Sequence, residues 1–179
     1  YTPEGIPSFW EGQSMFARGR SPKRFLASAF WTPRPSRGSK ANFFSVSLEP
    51  KLAAAIDLAA FAQEMLLWSR GLWATVSTVN ASWQQYNPLR GSAPGMLPGV
   101  FWANLFGPAY ESLVDWEAVK PVGATLKKEG RVWSLVFSKE VNDPDFEDPQ
   151  SELVLTTKAM IGTRLFLGSD DPLFPPQVL

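Results

Sequence analysis

The sequence predicts an α+β fold, a mostly antiparallel sheet with about three helices packed on one face of it. Two observations predict this class. Short segments that alternate apolar with small or polar residues have the period of half-buried strands. Pro50, Pro108 and Pro149 each open a helix-like stretch, where a proline loses only an amide that would have no partner. Hairpins rather than regular crossovers join the strands, which favours antiparallel pairing.

The chain starts with a segment that has no regular period. Residues 1–24 are rich in Pro, Gly, Ser and Arg, and we expect a surface-hugging or partly loose arm. Residues 25–31 are the first predicted strand, which ends at the turn-forming and basic residues 32–38. Residues 42–48 alternate and form the second strand. We expect these two strands to make a hairpin.

Three helices follow from the proline positions. The helix predicted over residues 50–69 is apolar almost all round, so we expect it to be mostly buried and to stop at Gly71 in the left-handed conformation. Residues 108–119 predict a short helix. Residues 149–161 predict the last one, with Asp148 as its N-terminal cap and Gly162 at its end.

The remaining strands lie in the second half of the chain. Residues 72–79 alternate as a strand, and residues 87–99 read as a long loop. Residues 100–106 form a short apolar strand. Residues 122–128 and 132–138 flank Gly130, which can take the positive φ that a tight hairpin turn requires. Residues 165–167 are expected to add an edge strand.

The length and composition predict a single domain over residues 1–179. The chain has 179 residues, of which 45% are hydrophobic and 13% aromatic, so it can bury a large core. No run of about 20 apolar residues is free of charge, so we expect no membrane span. The sequence starts at Tyr1 without an initiator Met, which predicts a native start upstream. We expect a cytoplasmic protein; the oligomeric state is left open.

The sequence contains neither His nor Cys. Histidine is the commonest general base near neutral pH and a frequent zinc ligand, and cysteine supplies thiolate nucleophiles and disulfides. Enzymes built on these side chains are therefore excluded. We expect a protein that binds another protein, is not an enzyme and needs no cofactor.

The densest charged segment is residues 139–148, which hold five acidic residues and one Lys. A calcium loop that starts at Asp143 would need Gly and Glu at its sixth and twelfth positions, but these positions are Asp148 and Val154. The segment therefore predicts no metal site. Two interpretations stay open: a solvated loop that caps the last helix, or a partner-binding patch of Asp143, Asp145, Glu147 and Asp148.

A basic segment near the N-terminus gives the alternative function, nucleic-acid binding or regulation. Residues 18–24 hold four Lys and Arg residues, and Phe25, Phe30 and Trp31 lie nearby as possible platforms for bases. The formal net charge of zero argues against this interpretation. A carboxylate enzyme is a third possibility, because Glu111 and Asp115 lie four residues apart.

The segment with most information is residues 99–110, which predict a strand, a Gly-Pro turn and a helix start. Asn104 is suited to bonding turn amides, Gly107 to a sharp bend, and Pro108 to the first helical position. Together with Trp102 and Tyr110, these residues make a W-x-N-x-x-G-P-x-Y motif. It resembles the signature of an immunity-protein family of bacterial polymorphic toxin systems, and the resemblance extends over about residues 95–165 through the Asp143-Pro144-Asp145 loop.

The resemblance implies a function as well as a fold. Proteins of this family are made beside a secreted toxin and block it in the producing cell and its kin. Their toxins are often nucleases of the restriction-endonuclease type, commonly delivered by a type VI secretion system. The resemblance therefore implies a cognate toxin or effector protein as the partner, bound so that its active site is occluded, without direct contact to nucleic acid or membrane.

Overall fold

The computed structural model describes residues 13–18, 25–31, 43–85, 96–167 and 169–173. The chain divides into two compact units, Tyr1–Ile56 and Asp57–Leu179. Each unit has its own antiparallel sheet, and the α+β class predicted from the sequence is confirmed. The single domain over residues 1–179 stays a prediction.

The first unit contains a three-stranded antiparallel sheet in the order β1-β2-β3. Its strands are β1 (Gln13–Arg18), β2 (Phe25–Trp31) and β3 (Phe43–Leu48), followed by the single-turn helix α1 (Pro50–Ala53). The predicted hairpin of β2 and β3 is confirmed, with Ala27 opposite Val46. Ala27 also faces Ala17 of β1, so residues 13–18 of the predicted arm form a strand. The rest of that arm lies outside the described residues.

The second unit is built on a four-stranded antiparallel sheet in the order β4-β5-β7-β6. Its strands are β4 (Trp73–Val76), β5 (Ala103–Phe106), β6 (Ala124–Glu129) and β7 (Val132–Phe137). Its helices are α2 (Leu58–Ser69), α3 (Val79–Gln85) and α4 (Glu152–Ile161). The described residues of this unit also form 3-10 turns at Pro108–Tyr110, Pro144–Phe146 and Thr163–Leu165. The predicted hairpin around Gly130 is confirmed as β6 and β7, with a φ of 58° at that glycine.

Both faces of this second sheet are covered, which corrects the expectation that helices lie on one face. On one face, Leu66 of α2 packs with Ala103, Leu105 and Val132. On the other, Phe106, Leu135 and Phe137 belong to a larger core with side chains from α3, α4 and the 3-10 turn at Pro144–Phe146. Alternating residues of β5 and β7 supply the two cores, as the pleat requires.

The long helix predicted over residues 50–69 is interrupted. The chain turns after α1, and Asp57 starts α2 by accepting a hydrogen bond from the Ala60 amide at 2.9 Å. An aspartate that bonds the local backbone favours a helix start over a helix interior. The expectation of a buried helix was also wrong, since Leu66 is the one buried residue of α2. Arg70, not Gly71, takes the left-handed conformation at its end, with φ of 51°.

Side-chain caps also explain why other helices and strands start or end at residues different from those predicted. The strand predicted over residues 72–79 is shorter, and α3, which the sequence did not predict, starts where Thr78 accepts a hydrogen bond from the Ala81 amide. The helix predicted over residues 108–119 is a 3-10 turn followed by further turns, with Asp115 capping the Ala118 amide. The last helix starts at Glu152 because Ser151, not Asp148, accepts from the Val154 amide.

Two other predicted strands differ from what the structure shows. The strand predicted over residues 100–106 starts only at Ala103. Residues 165–167 form the end of a 3-10 turn and a single parallel bridge between Phe166 and Leu97 rather than an edge strand. Residues 87–95 of the predicted loop lie outside the described residues, whereas residues 96–99 are buried.

Candidate functional site: an acidic turn beside a buried motif

The motif asparagine lies in the core of the second unit. Asn104 is 3% exposed. Its Oδ1 accepts a hydrogen bond from the Phe101 amide at 3.0 Å, and its Nδ2 donates to the Phe101 carbonyl at 2.7 Å. One side chain therefore satisfies both backbone groups of a buried residue, at the point where the chain enters β5.

The motif glycine is required by close approach rather than by its backbone angles. Gly107 has φ of −74° and ψ of 179°, angles that any residue can adopt, so its backbone conformation does not require glycine. A Cβ atom at this position would lie 2.5 Å from the Gly71 carbonyl oxygen and 2.8 Å from that of Leu72. The Gly107 amide donates to the same Leu72 carbonyl at 2.7 Å. The segment after β5 therefore lies in close contact with the two residues that precede β4.

The remaining motif residues link the Gly107-Pro108 turn to its surroundings. Pro108 opens the 3-10 turn, and Tyr110 is fully buried with its ring edge-on to Phe106 at 5.8 Å. Burial raises the pKa of the Tyr110 phenol well above its ordinary value. The Trp102 indole N–H donates to the Lys139 carbonyl at 2.8 Å, which joins the motif to the start of the acidic segment.

Residues 143–148, the acidic turn, form an ordered structure at the surface. Asp143 accepts a hydrogen bond from the Asp145 amide at 3.0 Å and so caps the 3-10 turn. The Phe146 ring is buried and lies edge-on to Phe137, with ring centroids 5.3 Å apart. Ser151 donates its hydroxyl to the Asp145 carbonyl at 2.8 Å. The four predicted partner-binding carboxylates are thus brought together on one short, anchored turn.

Lys139 partly neutralises the acidic turn. Its Nζ forms ion pairs with Asp143, at 3.3 Å, and with Asp145. The Asp145 amide and, to a lesser extent, Lys139 lower the pKa of Asp143, and the bond to Asp145 raises the pKa of Lys139. The sequence analysis counted this Lys in the charged segment but assigned it no role.

Glu147 and Asp148 have different local partners. Glu147 accepts a hydrogen bond from the Asn80 side chain of α3 at 2.6 Å. Asp148 accepts from the Gln150 amide at 2.8 Å, inside the loop that precedes α4. Asp148 therefore does not cap the helix, and the capping interpretation of this residue was wrong. Glu147 is half-buried, whereas Asp148 is exposed.

The other carboxylates that suggested chemistry are not arranged as a catalytic pair. Glu111 binds Lys128, which lowers the Glu111 pKa, whereas Asp115 caps a turn. Within the part of the chain that the structure describes, no group of three or more acidic side chains is placed to hold a metal ion. Of the basic segment 18–24, only Arg18 lies within a described element, at the end of β1.

The outward face of α2 is a feature that the sequence analysis missed. Trp68 is 79% exposed, and Phe61 and Leu67 are also exposed, with Glu64 as the charged residue among them. The signal was present, since the helix is apolar all round and the sheet can cover only one side of it. This face lies on the opposite side of the sheet from the acidic turn.

None of the helices in the described ranges is long and apolar enough to cross a membrane. Comparison of the chain with protein-family models, with curated proteins and with solved structures gave no match. The family resemblance therefore rests on the residues of the motif and the loop that follows it.

Proposed function

We propose that this protein is an immunity protein, which binds and neutralises a cognate secreted toxin through its acidic turn. The observation that carries the proposal is the ordered presentation of the carboxylates of Asp145, Glu147 and Asp148 at the surface, on a turn anchored by the buried Phe146. The motif Trp102 to Tyr110, which resembles the immunity-protein signature, lies directly beside this turn through the bond from Trp102 to Lys139.

The order of the turn favours a binding role. A loop whose backbone is already fixed by the Asp143 cap and the Ser151 hydroxyl loses little conformational entropy when a partner binds. Segment 139–148 carries five acidic residues against one Lys, a net charge of five minus one, or four negative charges. Carboxylates at this density attract a basic surface and speed its association. A nuclease that binds phosphates offers such a surface, which matches the toxin class that the resemblance implies.

The test is charge reversal at the two carboxylates that have no part in the backbone of the turn. The double variant Asp145→Lys with Glu147→Lys changes the net charge by four and leaves the Asp143 cap in place. The matched control reverses Glu117 and Asp170, which are exposed elsewhere, with the same change in net charge. Each variant is co-expressed with the toxin encoded by the adjacent gene, and growth, complex formation and association rate are measured.

We expect the double variant to associate with the toxin at least about tenfold more slowly at low salt, with a weaker dependence on salt. Its melting temperature should stay close to that of the wild type, because ion pairs at the surface contribute little to stability. The control should protect growth and associate like the wild type. Equal association rates for the double variant and the wild type would remove the acidic turn from the interface. The absence of any complex with the toxin would refute the proposed function itself.

A further inference from the structure

We infer that Gln85 is the positioning residue of the acidic turn, holding it in its binding conformation without contacting the partner. The role in partner binding rests on the proposed function, whereas the positioning itself can be measured in the free protein. Gln85 is the last residue of α3 and is 8% exposed. It lies 61 residues before Phe146 in sequence, so its contact with the turn exists only in the fold.

The Gln85 amide joins three segments of the chain. Its Nε2 donates to the Phe146 carbonyl at 2.7 Å and also to the Val100 carbonyl. Its Oε1 accepts from the Val100 amide at 2.9 Å. Both donor hydrogens and the acceptor are therefore used, so the amide has one orientation that satisfies every bond. A carboxylate, a hydroxyl or an apolar group at this position leaves at least one of these buried backbone groups without its partner.

The bond to Phe146 acts on the middle of the acidic turn. Phe146 lies between Asp145 and Glu147, so fixing its carbonyl fixes the peptide plane from which Glu147 projects. The same helix reaches the turn a second time, because Asn80 donates to the Glu147 carboxylate. Helix α3 therefore sets both the backbone of the turn and the direction of one of its carboxylates.

The absence of a side chain at Gly99 leaves space for the Gln85 side chain. A Cβ atom at Gly99 would lie 2.8 Å from the Gln85 Cβ and closer still to its Oε1. Gly99 is not among the positive-φ glycines, so its backbone angles do not require glycine there. The space that the missing side chain leaves is occupied by the Gln85 amide. An alanine at Gly99 should therefore displace the amide and reproduce the loss of Gln85 by a different route.

Hydrogen exchange in the free, full-length chain tests the positioning. Gln85→Met keeps the length of the side chain and removes its amide, and Gln84→Met makes the same change at the exposed neighbouring position. The probes are the amides of Phe146 and Glu147, which bond the Asp143 and Pro144 carbonyls inside the turn. Amides of β5 and β7 report on the stability of the whole unit.

In Gln85→Met and in Gly99→Ala, we expect the protection of the turn amides to fall by about tenfold or more, because a buried carbonyl loses its donor. The protection of the strand amides should fall by a smaller factor. Gln84→Met should leave both sets unchanged. An equal loss at the turn and in the strands would show that Gln85 supports only the unit as a whole. Unchanged turn protection in both variants would also overturn the inference.

A binding measurement then separates this inference from the proposed function. The toxin should dissociate from Gln85→Met faster than from the wild type, while the dependence of its association rate on salt stays the same, because every charge is still present. A changed salt dependence would mean that Gln85 acts through the charges and not through the shape of the turn. If no toxin binds even the wild type, the proposed function fails, and the exchange result still decides the positioning role.

Discussion

Replacing Asn104 with Ala tests the structural role of the motif most directly. The change removes the acceptor of the Phe101 amide and the donor to the Phe101 carbonyl, in a place where the side chain is 3% exposed. Each buried backbone group left without a partner costs about 1–3 kcal/mol. The two together predict a loss of roughly 2–6 kcal/mol in the free energy of unfolding. At about 2–4 °C per kcal/mol for a chain of this size, a loss of about 3 kcal/mol lowers the melting temperature by about 6–12 °C.

Thermal and urea unfolding measure this loss, and the matched control is Asn142→Ala at an exposed site. We expect the control to stay within about 0.5 kcal/mol of the wild type. A loss of less than about 1 kcal/mol in Asn104→Ala, with unchanged dependence on urea, would refute the reasoning. It would mean that the Phe101 groups find other partners once the side chain is gone.

Two further predictions concern the glycines and the acid response of the turn. Gly107→Asn should lower the free energy of unfolding by about 1–3 kcal/mol, because its side chain meets two carbonyl oxygens. Gly130→Asn should be nearly neutral, since Asn tolerates positive φ and nothing lies near that position. Similar melting temperatures for the two variants would contradict this. The lowered pKa of Asp143 means that its cap contributes stability above the ordinary Asp pKa of about 4 and loses it as the pH falls through the folded value. An NMR titration in which the Asp143 carboxyl titrates at or above the ordinary value would disprove that.

The parts of the fold that the sequence predicted well are those encoded locally. The hairpin of β6 and β7 needs only alternation on each side and a glycine at the turn, all within residues 122–138. The interruption before α2 was missed because apolar periodicity continues through it, while a single Asp57 side chain decides where the helix starts. Caps of this kind compete with periodicity, and a reading based on periodicity alone gives them too little weight.

In the candidate site, too, the locally encoded features were predicted and those that depend on remote contacts were missed. The density of acidic residues pointed to segment 139–148, and a sequence shows charge density directly. The side chains that shape the turn were missed where their partners are remote, as with Gln85 and Asn80, whose bonds span 61 and 67 residues. A buried glutamine in a short helix has no local pattern that separates it from a solvated one. Its role depends on which segments the sheet and the cores bring beside it.

A series of contacts connects the motif to the acidic turn. Trp102 precedes β5, and its indole holds the carbonyl of Lys139, whose ammonium group holds Asp143 and Asp145. Asn104, two residues further on, sets the path of the backbone around Trp102 through Phe101. The motif is therefore not remote from the proposed interface, although three of its residues are buried. A substitution at Asn104 should therefore perturb the acidic turn through this series of contacts, in addition to lowering the stability of the unit.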